Sequence, residues 1–261
     1  MAENKRNFEQ FKVDQNENSN IKNIIAITSA KGGVGKSSIT SLLAVLLNRK
    51  GYKVAILDGD ITGPSIPKAF GLNDNATGSE KGINPEITKN GIKVMSLNLL
   101  LKESTDPVIW RSSIVTGVLK QFYSEVFWGD IDYMLIDMPP GTSDVPLTAF
   151  QSFPIKGCVI VTSPQDLVSM IVEKSINMTK MVGVPVISLV ENMSFFIAPD
   201  TGKKYEIFGK GKTDEIAKKY GIDTVAKLKI DPKLRELVDN GEIEKADILE
   251  LDEVVKKIES I

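Results

Sequence analysis

The segment Ala30-Lys31-Gly32-Gly33-Val34-Gly35-Lys36-Ser37 constrains this chain more than any other. Ahead of it runs Ile24-Ile25-Ala26-Ile27-Thr28, an apolar β-branched stretch of the kind that forms a strand buried on both faces. Behind it, from Ser37 to Arg49, Leu42, Leu43, Leu46 and Leu47 mark the apolar side of a helix that Gly51 closes. A glycine loop between such a strand and a helix N-terminus offers backbone N–H groups to an anion without Cβ clashes, and the helix dipole adds to the attraction. Lys36 is placed to meet β- and γ-phosphates and the Ser37 hydroxyl to bind Mg²⁺, with Gly32, Gly33, Val34, Gly35 and Ser38 completing the cradle. The usual pattern begins with Gly; here that position is Ala30, and Lys31 adds a second cation.

The alternation of strand and helix continues. Val54–Leu57 is a strand ending at Asp58, and Ile92–Met95 is extended after an Asn90-Gly91 turn. Val108–Phe127 reads as a long amphipathic helix, and Tyr133–Ile136 as a buried strand ending at Asp137. Val159–Val161 and Val186–Val190 are two more strands, with the helix Gln165–Met181 between them. This order predicts an α/β fold, a mostly parallel sheet with helices on both faces. Residues 195–208 break the rhythm around the turn Pro199-Asp200-Thr201-Gly202 and predict a small inserted hairpin. A helix at Thr213–Tyr220, a strand at Val225–Leu228 and helices starting at Pro232 and Ala246 complete one domain over residues 21–261. Residues 1–20 are polar apart from Phe8, Phe11 and Val13, which predicts a disordered arm with a docking turn around Phe8 and Phe11.

In a parallel sheet the loops after the strands open onto one crevice. Asp58, Asp60 and Asp137 therefore converge on the glycine loop, with Asp137 as the carboxylate that anchors a Mg²⁺ water shell. Asp60–Ser65 and Pro139–Asp144 carry the Gly, Pro, Ser and Thr of loops that reorder around a γ-phosphate. The chain has no His, which excludes Ser-His-Asp and Cys-His nucleophiles and His-ligated zinc or haem. Its single cysteine, Cys158, allows neither an internal disulfide nor the four thiolates of an iron–sulfur cluster, and fits a reducing cytoplasm. A net charge of −2 gives no electrostatic reason for a nucleic acid or membrane partner, and no apolar run reaches the roughly 18–20 residues of a membrane span.

Lys31-Gly-Gly-Val-Gly-Lys-Ser37 resembles the deviant Walker A motif of the MinD/ParA/NifH class of P-loop ATPases. Five further segments resemble one branch of it, the Mrp/ApbC iron–sulfur cluster carriers: Asp58-Gly-Asp-Ile-Thr-Gly-Pro-Ser65, Val108-Ile-Trp-Arg111, Asp137-Met-Pro-Pro-Gly-Thr-Ser-Asp144, Glu191-Asn-Met-Ser194 and Tyr205-Glu-Ile-Phe-Gly209. The resemblance covers about residues 20 to 240. It implies a homodimer sandwiching two ATP molecules, with Lys31 reaching the partner's phosphates, Asp60 holding the attacking water and the Mg²⁺ shell, and Asn192 reading adenine. It also implies partners among iron–sulfur assembly proteins or apo-protein clients. Asn192 follows a buried strand, where a loop can reach the base. The family's Cys-Pro-x-Cys motif, which supplies thiolates for a bridging 4Fe–4S cluster, is replaced by Ala198-Pro199-Asp200-Thr201. Two readings stay open. One is a slow Mg²⁺-dependent ATPase of the cluster-assembly machinery without the usual cluster ligands; the other is a MinD/ParA-like nucleotide-switched positioning protein. The second needs a basic membrane helix or a DNA-binding face. The amphipathic segment Ala246–Ile261 carries five acidic residues and only Lys256 and Lys257, which suits docking on its own domain.

Overall fold

The computed structural model describes residues 12–60, 65–100, 112–142 and 144–261. Its elements in chain order are β1 (Asn20–Ser29), α1 (Lys36–Arg49), β2 (Val54–Asp58), α2 (Ile66–Ala69), β3 (Thr77–Ser79), β4 (Gly82–Asn84), β5 (Glu86–Ile87), β6 (Lys93–Met95), α3 (Ser112–Glu125), β7 (Asp130–Asp137), α4 (Asp144–Ser152), β8 (Ile155–Thr162), α5 (Asp166–Met181), β9 (Val186–Ile197), β10 (Lys204–Tyr205), α6 (Thr213–Tyr220), β11 (Val225–Lys229), α7 (Pro232–Asp239) and α8 (Asp252–Glu259). The main sheet runs β11-β9-β8-β1-β7-β2-β6-β5. All its pairings are parallel except that of the edge strand β5 with β6, and β10 adds antiparallel to the far end of β9.

The strand at the centre explains why both faces are covered. Ile24 and Ala26 of β1 pack into one core with Val115 and Phe122 of α3, Ala149 of α4, Ile176 of α5 and Ile216 of α6. Ile25 and Ile27 point the other way, into a second core with Ile39 and Leu43 of α1, Ile66 of α2 and Val254 of α8. Alternation along one strand thus feeds two layers of helices. The register puts Asp137 opposite both Ile27 of β1 and Asp58 of β2, so β7 and β2 end at one level and β1 runs two residues further into the glycine loop.

Three expectations need correction. Residues 12–20 are not a free arm. Val13 N–H donates to Ser152 O at 3.0 Å, Asn16 is buried and its Nδ2 donates to Lys81 O at 3.0 Å, and Ser19 Oγ accepts from Trp128 N–H at 2.9 Å. The polar side chains that suggested solvation instead satisfy backbone groups of the domain. Phe8 and Phe11 lie outside the described residues. No helix starts at Ala246, where φ and ψ are −65° and 140°. The chain stays extended through Ile248, where φ and ψ are −130° and 88°, with Ala246 and Ile248 both buried, and α8 begins only at Asp252. The docking of that segment holds: Ile248, Leu251, Val255 and Ile258 are all buried. Asn192 lies inside β9, which runs on to Ile197, rather than in a loop after it. The hairpin over residues 195–208 is present as β9 and β10, and the ribbon β3–β4 is an addition that the sequence reading does not contain. Among the described residues no helix is long and apolar enough to cross a membrane.

Candidate active site

The loop after β1 turns into α1 through Gly35, whose φ of 83° is the left-handed conformation that favours glycine. A cavity of about 220 Å³ opens over it, lined by Gly33, Gly35, Lys36, Ser37, Ser38 and Asp60 among others. The N–H groups of Lys36, Ser37 and Ser38 stand in the first turn of α1, where a helix supplies them no carbonyl partner. Gly32 and Gly33 are exposed, and a Cβ at either would meet nothing within 4 Å. The cradle is thus open to an anion at its rim and rich in donors at its base.

Its floor is charged and almost dry. The Lys36 side chain is 5% exposed, and its Nζ lies 2.7 Å from Asp137 Oδ2 and 3.4 Å from Asp60 Oδ2. Asp137 is fully buried, yet both of its oxygens are served. Ser37 Oγ donates to Oδ2 at 2.6 Å and Thr40 Oγ1 to Oδ1 at 2.7 Å. Asp58 is also buried; its Oδ1 accepts from Asp60 N–H at 3.1 Å and its Oδ2 from Ser96 Oγ at 2.9 Å. Burial first, and the charge of Asp137 second, push the Asp58 carboxyl above the usual carboxylate range, while Lys36 pulls it back. A buried acid whose two oxygens hold the Asp60 backbone and the end of β6 fixes where the Asp60 side chain starts.

The sequence-predicted residues therefore meet. Lys36, Ser37, Asp60 and Asp137 form one cluster within hydrogen-bond or ion-pair reach, and Ser38 lines the same cavity. Lys31 stands apart at the exposed rim, where its Nζ donates to Gln165 Oε1 at 3.3 Å. Asn192 reaches the loop from β9, its Nδ2 2.9 Å from Val34 O. Residues 61–64 and Ser143, which belong to the two switch-like segments, lie outside the described residues, as does Val108–Arg111. Sequence reasoning missed Thr40 and Ser96. Thr40 stands one helical turn beyond Lys36, and Ser96 follows the strand Lys93–Met95 as Asp58 follows its own; spacing from the loop and position after a strand are the signals for both.

Cys158 has the opposite setting. It is fully buried in β8 beside Ala26, and burial pushes its thiol upward. It pairs with Val186 at the start of β9, whereas Ala198 and Thr201 sit in the turn beyond Ile197, roughly 35–40 Å further along the extended chain.

Comparison with known proteins gives a consistent result. A family profile described as NUBPL iron-transfer P-loop NTPase matches residues 20–261. The iron–sulfur cluster carrier protein of Clostridium perfringens is 48% identical over 233 residues, 86% of this chain and 82% of that protein. The protein of the same name from Methanocaldococcus jannaschii is 48% identical over 225 residues, 85% of this chain and 78% of its own length. A nucleotide-binding protein from Archaeoglobus fulgidus, solved in complex with ADP, superposes with a TM-score of 0.81 at 42% identity, covering 89% of this chain and 91% of that one. The cell division ATPase MinD of Pyrococcus furiosus shares the fold, with a TM-score of 0.63 at 21% identity over 91% of this chain and 97% of its own.

Proposed function

The chain belongs to the NUBPL-type iron-transfer P-loop NTPases, and from that membership we propose a slow Mg²⁺-dependent ATPase that works as a homodimer with partner proteins of iron–sulfur cluster assembly. One observation carries the reading: Lys36 and Ser37 converge on Asp137 at the floor of a glycine cradle that opens to solvent.

The donor set suits Mg²⁺. Ser37, Asp60 and Asp137 offer oxygens beside a phosphate cradle, and Mg²⁺ is commonly held by one or two carboxylates plus substrate phosphates. Among the described residues no group of three or more His, Cys, Asp or Glu could hold a metal alone, which fits an ion that arrives with the nucleotide. When bound, it neutralises charge on the phosphates. Lys36 exchanges Asp137 for β- and γ-phosphate oxygens, and the N–H groups of Gly33 to Ser38 receive the rest of the charge. Asp60 orients the attacking water and takes up its proton; without a histidine in the chain, proton handling falls to carboxylates and water. Lys31 leaves Gln165 to reach the phosphates held by the partner subunit, and Asn192 meets the adenine.

The donor set does not suit a bridging 4Fe–4S cluster. Ala198 and Thr201 offer iron no thiolate, and Cys158 is buried far from the hairpin. The product of the cycle is therefore an interaction with other assembly proteins or apo-protein clients in the cytoplasm, not a cluster carried on its own thiolates. A MinD/ParA-like positioning role needs a DNA-binding basic face or a free basic amphipathic helix; α8 spends Val254, Val255 and Ile258 on the domain core, and the chain's net charge of −2 favours neither. Phosphate release from Mg²⁺-ATP, combined with iron and sulfide analysis after anaerobic reconstitution, tests the reading. Slow release with no stoichiometric iron is expected. No release, or the same ATP affinity for Lys36→Ala by calorimetry, would sink it.

A further inference from the structure

Asn192 is held in a way that the reading of it as the adenine contact does not explain. Opposite Glu191 to Phe195, β11 advances only from Lys227 to Lys229, so β9 bulges by two residues. Met193 within the bulge has φ 56°, the one non-glycine residue with positive φ among those described. The bulge swings Asn192 onto the glycine loop so closely that a Cβ on Gly35 would fall 2.3 Å from Asn192 Nδ2. Both ends of the amide are then fixed. Nδ2 donates to Val34 O at 2.9 Å, and Oδ1 accepts from Met193 N–H at 3.0 Å. A carbonyl only accepts and an N–H only donates, so the amide has one permitted flip.

The bulge has its own clasp. Glu191 is 1% exposed, and its Oε1 accepts from Ser194 Oγ at 2.6 Å, tying the two residues that flank Asn192 and Met193. Its other oxygen accepts from Thr213 Oγ1 at the start of α6. Gly211 leaves room for this carboxylate, since a Cβ there would sit 2.0 Å from Oε2.

We propose that Glu191, Ser194 and Thr213 form a positioning network that locks the Asn192 amide in one flip and thereby sets the preference for adenine over guanine nucleotides. The proposal rests on Asn192 meeting the base. With the lock engaged, one N–H of Nδ2 and one lone pair of Oδ1 remain free. Adenine offers the matching pair, an N6–H donor beside a ring-nitrogen acceptor. Guanine puts an acceptor, O6, where adenine has its donor. At the Watson–Crick edge, where guanine carries O6 and N1–H in place of adenine's N6–H and N1, an amide free to flip would accommodate either base; a locked one rejects the wrong one.

The test is calorimetric titration of Mg²⁺-ATP, Mg²⁺-GTP and pyrophosphate into the wild type, Asn192→Ala, Ser194→Ala, Thr213→Val and Thr213→Ser. The wild type should prefer ATP by about tenfold to a hundredfold. Asn192→Ala should bring the two nucleotides to within about threefold, and an unchanged preference there would overturn the base contact itself. Ser194→Ala should lower the preference by about tenfold, leave pyrophosphate binding unchanged, and be matched by Thr213→Val but not by Thr213→Ser. If Ser194→Ala fails to fold, Thr213→Val acts on the same carboxylate and decides alone. If Asn192→Ala loses the preference while Ser194→Ala and Thr213→Val keep it, the network has no positioning role. An equal loss of pyrophosphate binding would also overturn the proposal, because it would mark general damage to the loop.

Discussion

Replacing Lys36 with Met, a side chain of similar length without the charge, isolates what the cation does before any nucleotide arrives. Lys36 Nζ is 2.7 Å from the fully buried Asp137 and 3.4 Å from Asp60. Removing one member of a buried pair costs about 3–5 kcal/mol, because the other charge is left without compensation. Asp137 keeps the Ser37 and Thr40 hydroxyls, at 2.6 and 2.7 Å, which puts the loss near the lower end, ~3 kcal/mol. Asp58 raises the stakes, since Lys36 is the cation that offsets the repulsion between Asp58 and Asp137. Proton uptake by one of these acids limits the damage. For a domain of this size ~3 kcal/mol corresponds to a melting point about 6–12 °C lower. Adding Asp137→Asn removes the orphaned charge, so the double variant should recover more than half of the loss. Scanning calorimetry without nucleotide measures both. At a ligand concentration about 100 times Kd, Mg²⁺-ATP should stabilise the wild type by about 2.7 kcal/mol and Lys36→Met not at all. A variant melting within about 2 °C of the wild type, or one still shifted by Mg²⁺-ATP, would refute the reasoning.

Asp60→Asn should slow phosphate release by about a hundredfold or more while nucleotide affinity stays within about threefold, since it removes a group that handles the water rather than the phosphates; equal losses in both would reassign it to binding. Lys31→Ala should abolish ATP-induced dimerisation seen by light scattering while leaving most of the monomer's affinity, and a wild type indifferent to nucleotide would count against the sandwich. The Cys158 thiol should resist a water-soluble disulfide reagent at pH 7–9 until the protein unfolds: burial raises its folded-state value above the ordinary 9.0, so this contribution to stability is complete below that value and fades as the pH rises beyond it. Ala198→Cys with Thr201→Cys should give a brown protein with about four irons per dimer after anaerobic reconstitution while the wild type stays colourless, and a colourless variant that still dimerises would show that the hairpins do not meet.

What the sequence made legible followed from local rules. Ile24–Thr28 reads as a buried strand because it is apolar on both faces, and the loop after it reads as a phosphate cradle because glycine and lysine fall at fixed offsets. Asp58 and Asp137 were placed by being the first acids after buried strands, and the parallel register then brings them opposite each other. The residues it missed act across long separations. Ser96 serves Asp58 from 38 positions away and Thr213 serves Glu191 from 22; a place just after a strand marks Ser96 as a candidate, but no local period names the acid that either hydroxyl meets. The same reason hides the bulge at Met193, which depends on how β11 pairs with β9 and not on any preference of Met for positive φ.

The two halves of the site also depend on their side chains to different degrees. The hairpin turn is held by Ala198 N–H to Lys203 O at 3.0 Å and Gly202 N–H to Ala198 O at 2.8 Å, with the ammonium of Lys204 4.0 Å from the Phe195 ring centre below. Of the side chains at 198 and 201, only Thr201 contributes, through contacts of 3.4 Å to Asp200 and Lys203 N–H. Thiols at these two positions are therefore dispensable for the shape of the hairpin, and losing them leaves β9 and its bulge intact. The floor of the cradle allows no such exchange, because Lys36, Asp58 and Asp137 are each buried and each compensated by the others or by a hydroxyl. Substituting Lys36 or Asp137 leaves the other's buried charge uncompensated, and substituting Asp58 removes the acceptor of the Ser96 hydroxyl and the Asp60 N–H, whereas substituting Ala198 or Thr201 removes at most two 3.4 Å contacts in an exposed turn. The charged floor of the cradle is in this sense built into the stability of the fold, whereas the shape of the hairpin does not depend on the side chains at 198 and 201.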